Sequence, residues 1–308
     1  MTDAQAELDG WPALPYEEWR PTRDTLHMYA QVVGKLRLAL SPFEPEWANV
    51  PLYVTARGLS TSPIPVHLHT IDAEFDLIDH ALTLRRSDGA RERRPLGGSV
   101  ADFYNDVMAA LRRMGVDVAI SVVPSEVSDP IPFPDDRTHD TYIADHASRF
   151  FRALSAVDIV LKQYHARFRG RTTPVQFFWG TFDLAVTRYS GRPASAPPHA
   201  GVIARFGGDA EQICAGWWSG DERRPTPAFF SYGYPAQEGL AAATVRPEVA
   251  AWSAAAGEFL LPYEAARTQA DPPRAIREFL DSTYDAAATL MRWDPELTHV
   301  VEPAPART

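Results

Sequence analysis

The spacing of apolar residues along the chain predicts four helices. Apolar side chains recur every three or four residues over 24–40 and over 142–168, as on the buried face of an amphipathic helix. A third helix is predicted to begin after Ser99, a favoured N-cap residue, and to end at Gly115. The fourth begins at the Asp271-Pro-Pro sequence and continues to about residue 290.

Other segments alternate between apolar and polar residues, as half-buried strands do. These predicted strands cover 52–57, 66–77, 82–84, 116–123, 173–189, about 200–206, 211–218 and 227–233. Most of them are joined by short hairpin-like connections. We therefore expect an α+β fold in which a mostly antiparallel sheet is flanked by helices.

No linker divides the chain cleanly, so we predict a single domain over 11–293 with flexible termini at 1–10 and 301–308. The best candidate for an internal boundary is the segment 128–136, where alternating prolines disfavour helices and central strands. A boundary there would give sub-lobes 11–127 and 137–293.

Composition excludes several classes of protein. A net charge of −10 argues against a nucleic-acid-binding protein, and no apolar run approaches the ~20 residues of a membrane-spanning helix. Cys214 is the single cysteine, so the chain forms no internal disulfide. The dinucleotide-binding, phosphate-loop, serine-elbow and HExxH motifs are absent. We therefore predict a cytoplasmic protein that needs no cofactor.

Two histidines are spaced like metal ligands. His67, His69 and Glu74 have the HxH-x4-E spacing of the first cupin metal motif, but the second half of that motif is missing. In a single strand over 66–77, Glu74 would also point away from both histidines. We therefore predict no bound metal, and we retain His67 and His69 as candidates for substrate binding.

The helix over 24–40 carries three polar residues on one stripe. His27, Gln31 and Lys35 are spaced four residues apart, on the side opposite the leucine seam. One interpretation is a solvated polar face. The other is a site in which His27 transfers protons and Lys35 contacts an anion or acts as a nucleophile.

Aromatic residues accompany a charged one in the segment 173–189. Strict alternation would place Trp179 and Asp183 on the same face, where a buried carboxylate needs a partner. Tyr53 or Arg57 could supply that partner. We predict that Trp179, Asp183 and Arg57 converge on one cavity, with an aromatic wall formed by Trp217 or Tyr232.

Longer motifs resemble an uncharacterised bacterial family that is known only as a domain of unknown function. They are Trp11-Pro-x-Leu-Pro15, Thr25-Leu-His27 with Gly34-Lys35-x-Arg37-Leu, Val50-Pro-Leu-Tyr-Val-Thr-Ala-Arg-Gly58 with Thr61-Ser-Pro-Ile-Pro65, Phe177-Phe-Trp-Gly-x-Phe-Asp-Leu-Ala-Val-Thr-Arg188, Gly257-Glu-Phe-x-Leu-Pro-Tyr263, and Ser282-Thr-Tyr284 ahead of Trp293-Asp294. The resemblance runs from Trp11 to Trp293 and implies one continuous unit, without a reaction or a cofactor. Typical members carry a histidine at the position of Gln176 and lack the His67-x-His69 pair.

The resemblance favours a functional role for the polar residues inside these motifs, which are His27, Lys35, Arg57, Trp179, Asp183 and Arg188. We therefore predict an enzyme that acts on a small anionic or aromatic molecule by acid–base chemistry. Arg57 and Arg188 would bind a carboxylate or phosphate, whereas Asp183 and His27 would transfer protons. The alternatives are a non-catalytic small-molecule binding or sensor protein and an interaction scaffold.

Overall fold

A computed structural model describes residues 10–298 of the chain. Within this range the helices are α1 (Tyr16–Leu40), α2 (Val100–Arg113), α3 (Ala144–Ala166), α4 (Val202–Gly207), α5 (Tyr263–Arg267) and α6 (Pro272–Leu290). The strands are β1 (Tyr53–Val54), β2 (Gly58–Ser60), β3 (Ile64–Val66), β4 (His69–Asp76), β5 (Ala81–Arg86), β6 (Arg91–Pro95), β7 (Gln176–Phe178), β8 (Asp183–Pro193), β9 (Ala210–Trp218), β10 (Ala228–Tyr234), β11 (Ala251–Ser253) and β12 (Glu258–Pro262).

The strands form two antiparallel sheets of six strands each. The first has the order β1-β2-β4-β5-β6, with β3 also paired to β4. The second has the order β11-β12-β10-β9-β8-β7. The prediction of an α+β fold with antiparallel sheets and flanking helices is confirmed.

The chain divides into two compact units. The described part of the first unit comprises 10–158, 176–184 and 217–228, and that of the second comprises 159–175, 185–216 and 229–298. A single domain over 11–293 stays a prediction. The predicted flexible termini lie outside the described residues, apart from residue 10.

Strand β4 shows how the first sheet separates its two faces. Ile71, Ala73 and Phe75 are buried, whereas the neighbouring acidic side chains point the other way and bind Arg85. The ring of Phe75 stacks on Phe103 of α2, with 6.2 Å between centroids, and Phe103 in turn stacks on Tyr29 of α1 at 4.0 Å. The apolar face of this sheet therefore packs against α1 and α2.

Helix α1 is buried on almost every side. From Thr22 to Arg37, every residue except Asp24 is buried, polar residues included. Because no broad face of this segment meets water, its polar stripe must find partners inside the protein. The interpretation of the stripe as a solvated face is therefore wrong.

Several predicted strands are wrong. Residues 116–123 alternate in character, but they form no strand in the structure, and a strand needs a neighbour to satisfy its backbone groups. Residues 200–206 contribute mainly to the short helix α4. The segment 173–189 is divided by a turn over 179–182, where Phe182 adopts the left-handed region at φ 60°. Strands β11 and β12 were not predicted.

Candidate functional site

The polar stripe of α1 lies against two distant segments of the first unit. His27, Gln31 and Lys35 are all buried, and their hydrogen bonds reach the turn at Trp179-Gly180 and the loop residue Ser125. The predicted stripe therefore faces the protein interior and is hydrogen-bonded to these two segments. Each of the three residues does something different there.

His27 holds the turn. Its Nε2 lies 3.0 Å from the carbonyl oxygens of Trp179 and of Gly180, so this nitrogen carries the hydrogen and donates it. Its Nδ1 lies 3.5 Å from Nη1 of Arg23. Burial, aided by the charge of Arg23, lowers the pKa of His27 to about 3. A neutral, enclosed imidazole favours a structural role over the predicted proton transfer.

Gln31 holds the loop. Its Nε2 donates to the carbonyl oxygen of Ser125 at 2.7 Å, and its Oε1 accepts from the backbone N–H of Ser125 at 3.0 Å. These two bonds determine the orientation of the side-chain amide and pin the loop to α1. Gln31 therefore positions the group that Lys35 contacts.

Lys35 has the fewest polar partners of the three residues for the groups that it buries. Only 4% of its surface is exposed, and its Nζ donates to Oγ of Ser125 at 2.9 Å. The same atom lies 5.5 Å from the ring centroid of Trp179. No carboxylate within residues 10–298 forms an ion pair with it. Burial lowers the pKa of Lys35, because the charged amine is deprived of water.

Gly34 brings the Trp179 ring next to Lys35. A Cβ atom at this position would come closer than 3.0 Å to the Trp179 ring, so only glycine permits the ring to lie on the helix backbone. The indole Nε1 donates to the carbonyl oxygen of Val50 at 2.8 Å, which locks the ring in place. A rigid aromatic face therefore borders the amine.

Glu126 is a further candidate for a functional residue, and the sequence pattern did not predict it. It follows Ser125 directly, adopts the left-handed region at φ 60°, and places its carboxylate against the Cα of Gly180. By surface area the residue is exposed, yet the surrounding protein desolvates its carboxyl group enough to raise its pKa. Nothing in the sequence marks this loop, because its neighbours in space are distant along the chain.

Arg57 does not join this group. Its side chain is 43% exposed and forms ion pairs with Asp76 at 2.5 Å and with Asp79 at 3.0 Å, at the hairpin between β4 and β5. Asp183 instead accepts a hydrogen bond from the hydroxyl of Thr181. The predicted pairing of Arg57 with Asp183 is therefore corrected: the hairpin supplies two nearer acids for the arginine.

The remaining candidates contact other residues. Tyr53 lies beneath the guanidinium of Arg37 at 5.2 Å and accepts from Nε2 of Gln176 at 3.4 Å. Trp217 stacks on Phe150, with 6.0 Å between ring centroids. Arg188 and Tyr232 belong to the second unit.

The two histidines with metal-like spacing do not share a face with Glu74. His67 occupies the turn between β3 and β4 at φ 52°, and both His67 and His69 are exposed. Glu74 accepts from Thr55 at 3.0 Å and pairs with Arg85 at 2.5 Å. Within residues 10–298, no three side chains are grouped so that they could hold a metal ion.

Comparison with known families agrees with the motifs. The model of DUF5996, a family of unknown function, matches residues 11–300. The chain belongs to this family. The match covers every residue of the Lys35 site in this DUF5996 chain, and the resemblance drawn from the sequence is confirmed.

Family membership brings no reaction with it. No curated protein and no solved structure matches the chain. Over the described part of this DUF5996 chain, no helix has the length and apolar character to cross a membrane. The function must therefore be argued from the site itself.

Proposed function

We propose that the protein is a cytoplasmic enzyme that binds a small anionic molecule at Lys35 and acts on it by proton transfer. The observation that carries the proposal is a buried ammonium whose partners are one hydroxyl and one aromatic face. An ammonium removed from water is costly unless it is paired, and it has three donors to satisfy. An anionic ligand would supply both the charge and the acceptors.

The acid–base part of the proposal rests on Lys35 and Glu126 together. Burial lowers the pKa of the Lys35 amine, and desolvation raises the pKa of the Glu126 carboxyl group. Both pKa values are therefore shifted towards neutral pH. Groups that exchange protons in catalysis are tuned in this way. Both groups adjoin the same two segments, the loop at Ser125 and the turn at Trp179-Gly180. The aromatic face of Trp179 would suit a planar substrate.

The chain offers a matched control for Lys35, because its only other lysine is the exposed Lys162. We would screen small carboxylates and phosphates by thermal unfolding of the wild type, Lys35→Met and Lys162→Met. A ligand at a hundred times its Kd stabilises the folded state by about 2.7 kcal/mol. We expect this stabilisation in the wild type and in Lys162→Met, and its loss in Lys35→Met. Equal stabilisation of all three proteins would contradict the proposal.

A second experiment separates an enzyme from the alternative, a non-catalytic binding or sensor protein. The ligand found in the screen is incubated with wild type and with Glu126→Gln, and its conversion is followed by mass spectrometry. We expect Glu126→Gln to retain binding and to lose conversion. Recovery of unchanged ligand from the wild type would favour the binding or sensor protein.

A further inference from the structure

Arg188, in the second unit, is buried without an acidic partner. It lies on β8, and only 1% of its surface is exposed. Its Nη2 donates to the backbone carbonyl of Tyr164, and its guanidinium carbon lies 3.4 Å from the centroid of the Tyr164 ring. The rings of Tyr284 and Phe168 are 4.7 and 5.0 Å away. Among the described residues, no carboxylate forms an ion pair with this guanidinium.

Three buried hydrogen-bond donors of the same cluster have no acceptor in the part of the chain that the structure describes. They are Nε of Arg188, the hydroxyl of Tyr164 and Nε1 of Trp293. The ring of Trp293 lies 6.3 Å from Phe168 and 6.0 Å from Tyr284, so it belongs to the aromatic group around the arginine. Buried polar atoms are rarely left unsatisfied, and each exception calls for an explanation.

The kind of partner follows from the donors. A guanidinium and an indole N–H can only donate, so the missing partner must be an acceptor. Water could fill that role for the hydrogen bonds, but it would leave the buried positive charge uncompensated. Asp281 and Asp285 of α6 act on Arg188 electrostatically but form no ion pair with it, and Asp281 pairs with Arg167 instead.

We infer that the second unit binds a small oxyanion, a phosphate or a carboxylate, at Arg188. Arginine suits such groups because its planar fork of donors matches two oxygens at once. The hydroxyl of Tyr164 and the indole of Trp293 would complete the set of donors. The inference goes beyond the function proposed for Lys35, since every residue it uses belongs to the second unit.

The test uses inorganic phosphate and acetate as probes, each compared with chloride at the same ionic strength. Binding to the full-length protein is measured by isothermal titration and by the shift in Tm. We expect at least one probe to bind the wild type, and the better of the two identifies the oxyanion. The probes are also titrated into Lys35→Met, which lacks the anion site proposed at Lys35. Binding that remains in this variant belongs to the Arg188 site, so this result stands apart from the test of Lys35.

The deciding variant is Tyr164→Phe, which keeps the ring and removes one donor. In chloride it should be as stable as the wild type or more so, because an unsatisfied buried hydroxyl disappears. Its affinity for the probe should fall at least tenfold. Tyr263→Phe, at a buried tyrosine of the same unit that packs on Phe229, should leave the affinity unchanged.

Two results would overturn the inference. The first is that neither phosphate nor acetate binds the wild type or raises its Tm above the value in chloride. The second is an unchanged probe affinity in Tyr164→Phe, because the anion would then lie elsewhere. Neither result requires an Arg188 variant. Truncating this buried side chain would leave a cavity in the core, and the variant could fail to fold.

Discussion

Replacing Gly34 by alanine sets two opposed effects against each other. In the middle of a helix, alanine is favoured over glycine by about 1 kcal/mol, so the change would stabilise an isolated α1. In the folded protein the added Cβ would come closer than 3.0 Å to the ring of Trp179, a separation that real Cβ atoms do not show. The ring must therefore move.

The cost of moving the ring exceeds the helical gain. Overpacking a filled core costs about 1–3 kcal/mol, and the displaced indole loses its hydrogen bond to Val50, which is worth about 1 kcal/mol. After the helical gain is subtracted, we expect Gly34→Ala to lower the free energy of unfolding by about 1–3 kcal/mol. It should also weaken ligand binding at Lys35, because the aromatic face beside the amine is displaced.

Urea denaturation of four proteins measures this effect: the wild type, Gly34→Ala, Trp179→Ala and the double variant. Once Trp179 is truncated, the added methyl group meets no ring, and Gly34→Ala should become neutral or stabilising by up to about 1 kcal/mol. The reasoning would be refuted if Gly34→Ala stabilised the protein with Trp179 in place, or if the two substitutions were additive.

Three further outcomes are expected. His27 has a pKa of about 3 when folded and 6.5 as its ordinary value, so its contribution is complete above pH 6.5 and is lost as the pH falls towards 3, by up to about 5 kcal/mol. His27→Gln should therefore lose less stability between pH 7 and pH 4 than the wild type, and equal losses in urea titrations would contradict this. Ser99→Ala should cost about 1 kcal/mol in thermal unfolding, since Oγ of Ser99 accepts the N–H of Asp102 at 3.1 Å. Arg57→Gln should change stability little, because the arginine is 43% exposed and Asp76 also accepts the backbone N–H groups of Ile78 and Asp79. It should leave ligand affinity intact, and a lost affinity would place Arg57 in the site.

The sequence alone predicted local structure wherever a segment's own residues determine it. The period of α3, the N-cap residues Ser99 and Asp271, and the alternating face of β4 all follow from neighbouring residues. A helix forms its own hydrogen bonds, and a hairpin brings its own partner. Periodicity therefore sufficed to predict these elements and the α+β class.

Contacts between distant segments were decided only by the tertiary structure. The alternation over 116–123 does not indicate whether another strand pairs with this segment, and none does in the described structure. The alternation over 173–189 does not predict the left-handed backbone of Phe182, which interrupts the strand. The sequence predicted the stripe of His27 and Lys35 on α1 but left open whether it meets water or protein. The answer depends on residues 153 positions away from His27 and 90 away from Lys35, brought to α1 by packing that no local pattern encodes.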